Sequence, residues 1–247
     1  MSESSYFRFS DKVVLMPFLT VLLIWVVFWA EIRFHINLNE YGVYPRTLEG
    51  LRGVLLSPFI HGSVEHLYNN TIPIAVLMAS LFYFYRKIAV KVLLWGVLLS
   101  GLLTWCIGRP SYHIGASGLI YVLASFIFFK GIFTKHYRLT ALSFFVVFIY
   151  GGLLWYIFPV LGNISWEGHL SGFITGLLLA IFLKVQMPST KKYAWEREDY
   201  KEEEDEFLKH FDEQGNFIES QEQEPPPDDP GLTIRYHYKK NKDNQSD

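Results

Sequence analysis

The chain has 247 residues, 51% of them hydrophobic and 17% aromatic, against 19% charged. A soluble domain of this length rarely carries so much apolar side chain, and here it comes in long unbroken blocks, which excludes an ordinary water-soluble globule. The formal net charge of −2 hides an uneven placement of charge, and beyond the charge beside the apolar blocks there is no basic patch of the kind that binds nucleic acid.

A helix needs about 20 mostly apolar residues to cross the hydrocarbon core of a bilayer. That length predicts spans over Val13–Ala30, Leu67–Tyr85, Ala89–Ile107, Ile114–Phe129, Leu139–Val160 and Leu170–Val185, six in all. The first is too long for the apolar part of a signal peptide and lacks a small-x-small exit, so it reads as a retained span. The connection Glu31–Glu65 mixes Leu48, Leu51, Val54, Leu55, Leu56 and Phe59 with polar residues and with Pro45 and Pro58, a composition suited to the membrane interface. The fourth and sixth spans are short, and their glycine-rich starts are expected to lengthen them. Cys106 is the sole cysteine, so no intrachain disulfide can form.

Basic residues favour one side. Arg86, Lys87 and Lys91 follow the second span, Lys130, Lys135 and Arg138 the fourth, and Lys184, Lys191 and Lys192 the sixth, with Arg8 and Lys12 before the first. The positive-inside rule therefore puts both termini in the cytoplasm. Residues 1–187 make the membrane domain and 188–247 a tail of different character. Lys191–Phe217 is highly charged and could form a polar helix, the run Pro225-Pro226-Pro227 comes after it, and the composition is that of a disordered cytoplasmic tail. A patch at Leu232–Tyr238 alternates as a strand does.

Ionisable and polar groups at membrane depth are costly and so point to function. In the fourth span Gly115-Ala116-Ser117-Gly118 frames a serine with glycines, comes after the short loop Arg109-Pro110-Ser111-Tyr112, and stands where a helix begins. Glycines let a backbone come close, and the unpaired amides of a helix start favour a developing oxyanion. In the sixth span Gly168, Gly172 and Gly176 recur every four residues, a stripe that admits a close neighbour, with His169 beside it. Packed together, the two spans would bring an imidazole to a hydroxyl, base to nucleophile. His66 and Asn70, four apart at the start of the second span, share a helix face at the same depth and could donate to one oxyanion. His61 precedes that helix and is placed to hold the first loop.

No aspartate occurs between Asp11 and Asp199, which excludes a Ser-His-Asp triad or an aspartyl pair within the membrane domain. Glu167 is two residues from His169 and so does not face it on a helix. No His-Glu-x-x-His sequence is present, and the spacing of His61, His66, His113 and His169 matches no ordinary ligand set, so no metal and no cofactor are expected.

With Ser117-Gly118 followed by Tyr121, the Gly168-His169 start of a Gly172/Gly176 helix, and His61, His66 and Asn70, the chain resembles the rhomboid family of intramembrane serine proteases over about residues 10–187. The resemblance implies an all-α bundle of six transmembrane helices with the disordered tail appended, in a bacterial inner membrane, with the active site opening to the outer side. It implies Ser117 as nucleophile, His169 as general base, the Ser117 amide with His66 and Asn70 as oxyanion hole, and Tyr121 packed on the imidazole, with Gly115, Gly118 and His61 in support. The partners it implies are single-span transmembrane protein substrates and the lipid bilayer. Such substrates are cut near the outer membrane boundary, beside a small residue and helix-destabilising ones, since a hydrogen-bonded helix hides its carbonyls until it unwinds. Phe144, Phe145, Phe148 and Trp155 on the fifth span would form a lateral gate. The sequence departs from many members in having Leu51-Arg52 near the place of a Trp-Arg pair, and Gly168 where an alanine often precedes the histidine. A catalytically silent adaptor that binds client transmembrane helices is the alternative from another class. Silent relatives usually lack the serine or the histidine, and this chain has both. A small transporter is disfavoured by the absence of an inverted repeat or a pair of broken helices.

Overall fold

The computed structural model describes residues 6–159, 164–186, 193–196, 198–205, 207–212 and 214–218. Among these the chain is helical, and extended pairing is confined to the isolated bridges Val43–His113 and Phe211–Phe217. The long helices are α1 (Lys12–Phe34), α2 (Val64–Phe84), α3 (Ala89–Ile107), α4 (Ser117–Thr134), α5 (Tyr137–Tyr150) and α6 (Trp166–Phe182).

Local chemistry accounts for where these helices depart from the expected bounds. α1 runs on past Ala30 to Phe34 because a helix does not stop where hydrocarbon does, and Arg33 in its last turn suits the negative end of the dipole. α2 starts before Leu67, at Val64, because the Ser63 hydroxyl accepts the His66 N–H at 3.1 Å as an N-cap. α4 does not gain length from its glycines. Gly115 sits at φ +105°, outside helical geometry, so the helix begins at Ser117 and lengthens at the other end to Thr134. The fifth span is not one helix. At Gly151-Gly152, two poor helix formers in succession, α5 gives way to a tighter 3-10 segment, Gly151–Ile157. Val160, the expected end of that span, lies outside the described residues. α6 does extend toward its N-terminus, to Trp166, under a Ser165 cap.

Among the described residues, five segments are long and apolar enough to cross a membrane: Lys12–Phe34, Val64–Phe84, Ala89–Ile107, Ser117–Thr134 and Tyr137–Ile157. α6 has 17 residues, which at ~1.5 Å per residue is roughly 26 Å, short of a hydrocarbon core of ~30 Å. The helices differ sharply in burial. Of the apolar window of α1 only 17% is buried, with Val14, Phe18, Leu22, Trp25 and Trp29 on the outside, whereas 56% of the α4 window is buried. Outward apolar faces of that extent are what a bilayer covers and water does not. α4 is the central post of the bundle.

The most extensive packing is between α4 and α6. A Cβ on Gly172 would strike the Gly118 carbonyl oxygen and one on Gly176 the Val122 carbonyl oxygen, so the two backbones touch along the glycine stripe. Ser125 Oγ donates to the Phe173 carbonyl at 2.8 Å, and the buried Lys130 Nζ donates to the Ala180 carbonyl at 2.9 Å, pinning the pair at middle and end. Further along α4 from Ser117, Val122, Leu123, Phe126 and Ile127 pack into one core with Ile74, Leu77 and Leu81 of α2 and Leu139 of α5.

The long first loop is folded. It comprises 3-10 turns at Asn39–Tyr41 and Glu49–Arg52, a helical turn at Gly53–Leu56 and a third 3-10 turn at Ser57–Phe59, with Val43, Val54 and Ile60 buried beneath. Arg52 holds it from within, donating to the Glu40 carbonyl at 3.1 Å and lying 4.4 Å over the Tyr41 ring.

The residues described beyond position 190 belong to a unit of their own. Its described residues carry 3-10 turns at Ala194–Glu196, Glu202–Glu204 and Leu208–His210 and a turn at Asp212–Asn216, in place of the polar helix expected over Lys191–Phe217. Repulsion within the acidic run Glu202–Glu204 and the turn-forming Asp212 and Gly215 account for the short elements. The Leu232–Tyr238 patch and the proline run lie outside the described residues.

Candidate active site

Gly115 lies in the loop leading into α4, two residues before Ser117, and its geometry brings α2 up to the helix start. Its amide donates to the Ser57 carbonyl at 2.9 Å. A side chain on it would run into the imidazole of His66, and the Asn70 Nδ2 lies 3.7 Å from where its Cβ would be. Glycine thus lets the face of α2 bearing His66 and Asn70 close against the backbone just before Ser117. As the first residue of α4, Ser117 presents an amide with no carbonyl a turn earlier to pair with.

His169 stands in the first turn of α6, buried at 8% exposure. Its Nε2 is 3.0 Å from Ser117 Oγ and its Nδ1 is 3.0 Å from the Tyr156 carbonyl oxygen. A carbonyl can only accept, so Nδ1 carries the proton, Nε2 offers its lone pair, and the Ser117 hydroxyl donates to it. The Tyr121 ring stacks on the imidazole, centroids 4.3 Å apart and planes 13° from parallel, while its hydroxyl donates to the Leu153 carbonyl at 2.6 Å. The result is a hydroxyl hydrogen-bonded to an imidazole whose tautomer and tilt are fixed from two sides, the arrangement of an activated nucleophile.

A family model for the rhomboid domain matches residues 49–186, which contain all of these side chains. The chain belongs to the rhomboid family. With its apolar helices this makes it an integral membrane protein. It is similar to proteins described only as uncharacterised from Mycobacterium bovis and Mycobacterium tuberculosis, each 37% identical over 172 residues, 65% of this chain and 70% of the relative. A Mycobacterium leprae protein, likewise uncharacterised, is 34% identical over 166 residues, 63% of this chain and 65% of the relative.

In this rhomboid the residues singled out from the sequence gather at one end of α2, α4 and α6. Ser117, His169 and Tyr121 touch in a row, and His66 and Asn70 close on Gly115. Asn70 spends one amide hydrogen on the His66 carbonyl at 2.9 Å, which fixes its side chain. Gly118 faces the Gly168 carbonyl, at 3.6 Å from where its Cβ would be. His61 sits behind the loop, 1% exposed, and its Nε2 accepts the Ala116 N–H at 3.4 Å. Burial, and then the neighbouring His66, push the His61 pKa down to about 4, so the ring is neutral at pH 7 and able to accept. A cavity of about 40 Å³ behind Ser117 is lined by Ser57, Ser100, Thr104, His113 and Ser165 among others, room for one water among polar partners. Among the described residues no three His, Cys, Asp or Glu side chains come together as a metal site.

Several contributors escape a reading of side-chain types. The acceptors for His169 and Tyr121 are main-chain carbonyls of the 3-10 segment, at Tyr156 and Leu153, and a carbonyl leaves no mark in a sequence. Ser165, three residues before Gly168, did carry a signal, that of an N-cap. His113, Arg109 and Glu167, considered from sequence only as a metal ligand, a residue of a short loop and a failed triad member, are joined in one network on the loop side of α6.

Proposed function

We propose that this rhomboid is an intramembrane serine endopeptidase that cleaves transmembrane segments of single-span proteins through a Ser117–His169 dyad. The observation that carries the reading is the 3.0 Å contact from Ser117 Oγ to His169 Nε2 with the His169 tautomer set by the Tyr156 carbonyl. Ser117 Oγ attacks the scissile carbonyl carbon while its proton passes to Nε2. The negative charge that develops on the carbonyl oxygen takes hydrogen bonds from the Ser117 amide, His66 and Asn70. Collapse expels the amine, which takes the proton from His169. A water then repeats the sequence on the ester, releasing the new carboxyl end and restoring the serine. The Tyr156 carbonyl does the orienting half of the work of a triad aspartate, and the Tyr121 ring covers one face of the imidazolium.

In this reading the membrane domain, residues 1–187, has six spans, with both termini cytoplasmic in a bacterial inner membrane and the site facing outward, and residues 188–247 form the tail. α6, at 17 residues, is shorter than the hydrocarbon core is thick, which suits a site recessed in the membrane. Substrate helices would enter past α5 and its 3-10 extension, where Phe144, Phe145, Phe148 and Trp155 are 64%, 49%, 86% and 71% exposed.

The test is cleavage of a reporter transmembrane segment by the purified full chain in detergent, beside Ser117→Ala and His169→Ala. Cleavage by the wild type and by neither variant is the expected outcome. A wild type that retains reporter helices without cutting any would instead make the protein an adaptor.

A further inference from the structure

Glu167 points away from His169 and has no part in the dyad, yet it is only 1% exposed. A carboxylate at that burial needs partners, and they come from the loop between α3 and α4. The Arg109 backbone N–H donates to Glu167 Oε1 at 3.2 Å, and Arg109 Nε stands 3.7 Å from the same oxygen. Arg109 Nη2 donates to the Ile164 carbonyl at 2.7 Å. Four residues on in the same loop, the buried His113 places Nε2 3.1 Å from the Arg109 carbonyl oxygen and Nδ1 2.6 Å from Ser165 Oγ. The carbonyl accepts, so Nε2 carries the proton and Nδ1 accepts the hydrogen bond that the Ser165 hydroxyl donates. Ser165 Oγ is thereby turned to accept the Gly168 N–H at 3.3 Å as the cap of α6.

This one short loop therefore grips the chain at residues 164, 165 and 167, and it runs directly on through Gly115 into Ser117. It is itself anchored, since His113 and Val43 exchange both backbone hydrogen bonds, at 2.8 and 3.0 Å. The tight part of the glycine stripe does not reach so far, because it is Gly172 and Gly176 that lock α6, one and two turns below His169, while Gly118 meets the Gly168 carbonyl only at ordinary contact distance. The nucleophile leaves one end of the loop, and the base stands on residues that its other end holds.

We infer that Glu167 and Arg109, with the His113–Ser165 hydrogen bond, are positioning residues that fix the first turn of α6 and through it the reach of His169 to Ser117. The kinetic consequence rests on the protease reading, whereas the fixing of the helix start does not. Misplacement of a reacting group by about 1 Å costs on the order of 10²-fold in rate, so a loosened first turn is expensive even when the bundle is intact. Outer-sphere hydrogen bonds that orient a catalytic group act in this way.

The experiment compares wild type, Glu167→Ala, Glu167→Gln and Arg109→Ala as full chains in detergent, by hydrogen exchange of the amides over residues 165–170 and by cleavage kinetics. Gln keeps an oxygen for the Arg109 N–H. Glu167→Ala is expected to speed exchange at those amides about tenfold or more, with α2 and α3 unchanged, and to lower kcat about 100-fold while KM stays within about twofold. Glu167→Gln recovers most of both, which a role limited to charge at the helix dipole would not give. Exchange in Glu167→Ala equal to wild type, or Gln as damaging as Ala, overturns the inference. Should Glu167→Ala raise exchange throughout the bundle, Arg109→Ala decides at a half-exposed position, where faster exchange confined to residues 165–170 supports the clamp and none refutes it. A wild type that cleaves nothing defeats the protease reading alone, and the exchange comparison still judges the clamp.

Discussion

The two sides of His169 are built differently. On one side α4 and α6 meet backbone to backbone along Gly172 and Gly176, with Ser125 and Lys130 pinning them, and this pair holds the two side chains that would react. On the other side stands α5 with its 3-10 extension. Its outward residues include Phe144 and Phe148, it changes helix type at Gly151, and a cavity of about 350 Å³ lies between it and the α4–α6 pair. From that looser side come only main-chain acceptors, the Tyr156 and Leu153 carbonyls. The tight side sets where the hydroxyl and imidazole are, and the loose side sets how the imidazole is turned. A protein that must admit a helix from the bilayer can move the second without dismantling the first.

The comparison can be broken most severely at the reacting pair. Ser117→Ala and His169→Ala are each expected to lower cleavage at least about 10³-fold with the fold intact, by reporter assay alongside thermal unfolding. Next comes the seam that holds them. Gly172→Val puts a branched side chain against the Gly118 carbonyl and should destabilise the detergent-solubilised protein by about 3 kcal/mol, whereas the same change at Gly152, which has open space around it, should be nearly neutral. Equal effects at the two glycines would contradict the division into tight and loose sides. His66→Ala should reduce kcat about 10²-fold and leave KM unchanged, as loss of an oxyanion donor does. Unchanged turnover with a raised KM would assign His66 to substrate binding.

Acid acts through the loop that backs Ser117. His61 is neutral when folded, with a pKa of about 4 from burial, and titrates near its ordinary value of about 6.5 when unfolded. The unfolded chain therefore binds the extra proton first, so this contribution to stability is complete above pH 6.5 and is lost as pH falls toward 4. Between pH 6.5 and 5 the loss should be about 2 kcal/mol, and His61→Gln should flatten that slope in a denaturation series. The smallest effect belongs to the loose side. Tyr121→Phe keeps the ring on His169 and removes the hydrogen bond to Leu153, costing about 1 kcal/mol in stability and only a few-fold in rate.

The same division governs how much of the molecule is legible in its sequence. Ser117, His169 and the glycine stripe announce themselves, because a polar side chain among apolar ones and a four-residue repeat of glycine both survive translation into a string of letters. The close pairing of α4 with α6 is legible for that reason. The break of α5 at Gly151 is not, since an apolar run of adequate length looks like a span whether it is one helix or two kinds of turn. Nor is the support for His169, because Tyr156 contributes a carbonyl that every residue has. Glu167 misleads in another way. Its spacing from His169 is a sound reason to deny it a triad role, but spacing along one helix says nothing of a partner on a distant loop such as Arg109.

The most direct measurement is labelling of the purified full chain with a fluorophosphonate, with the adduct located by mass spectrometry. The account predicts a single adduct on Ser117 that forms in the wild type and is lost in His169→Ala, since only the paired imidazole makes that hydroxyl a nucleophile. A correctly folded wild type that gives no adduct, or an adduct that forms equally fast without His169, would contradict the dyad.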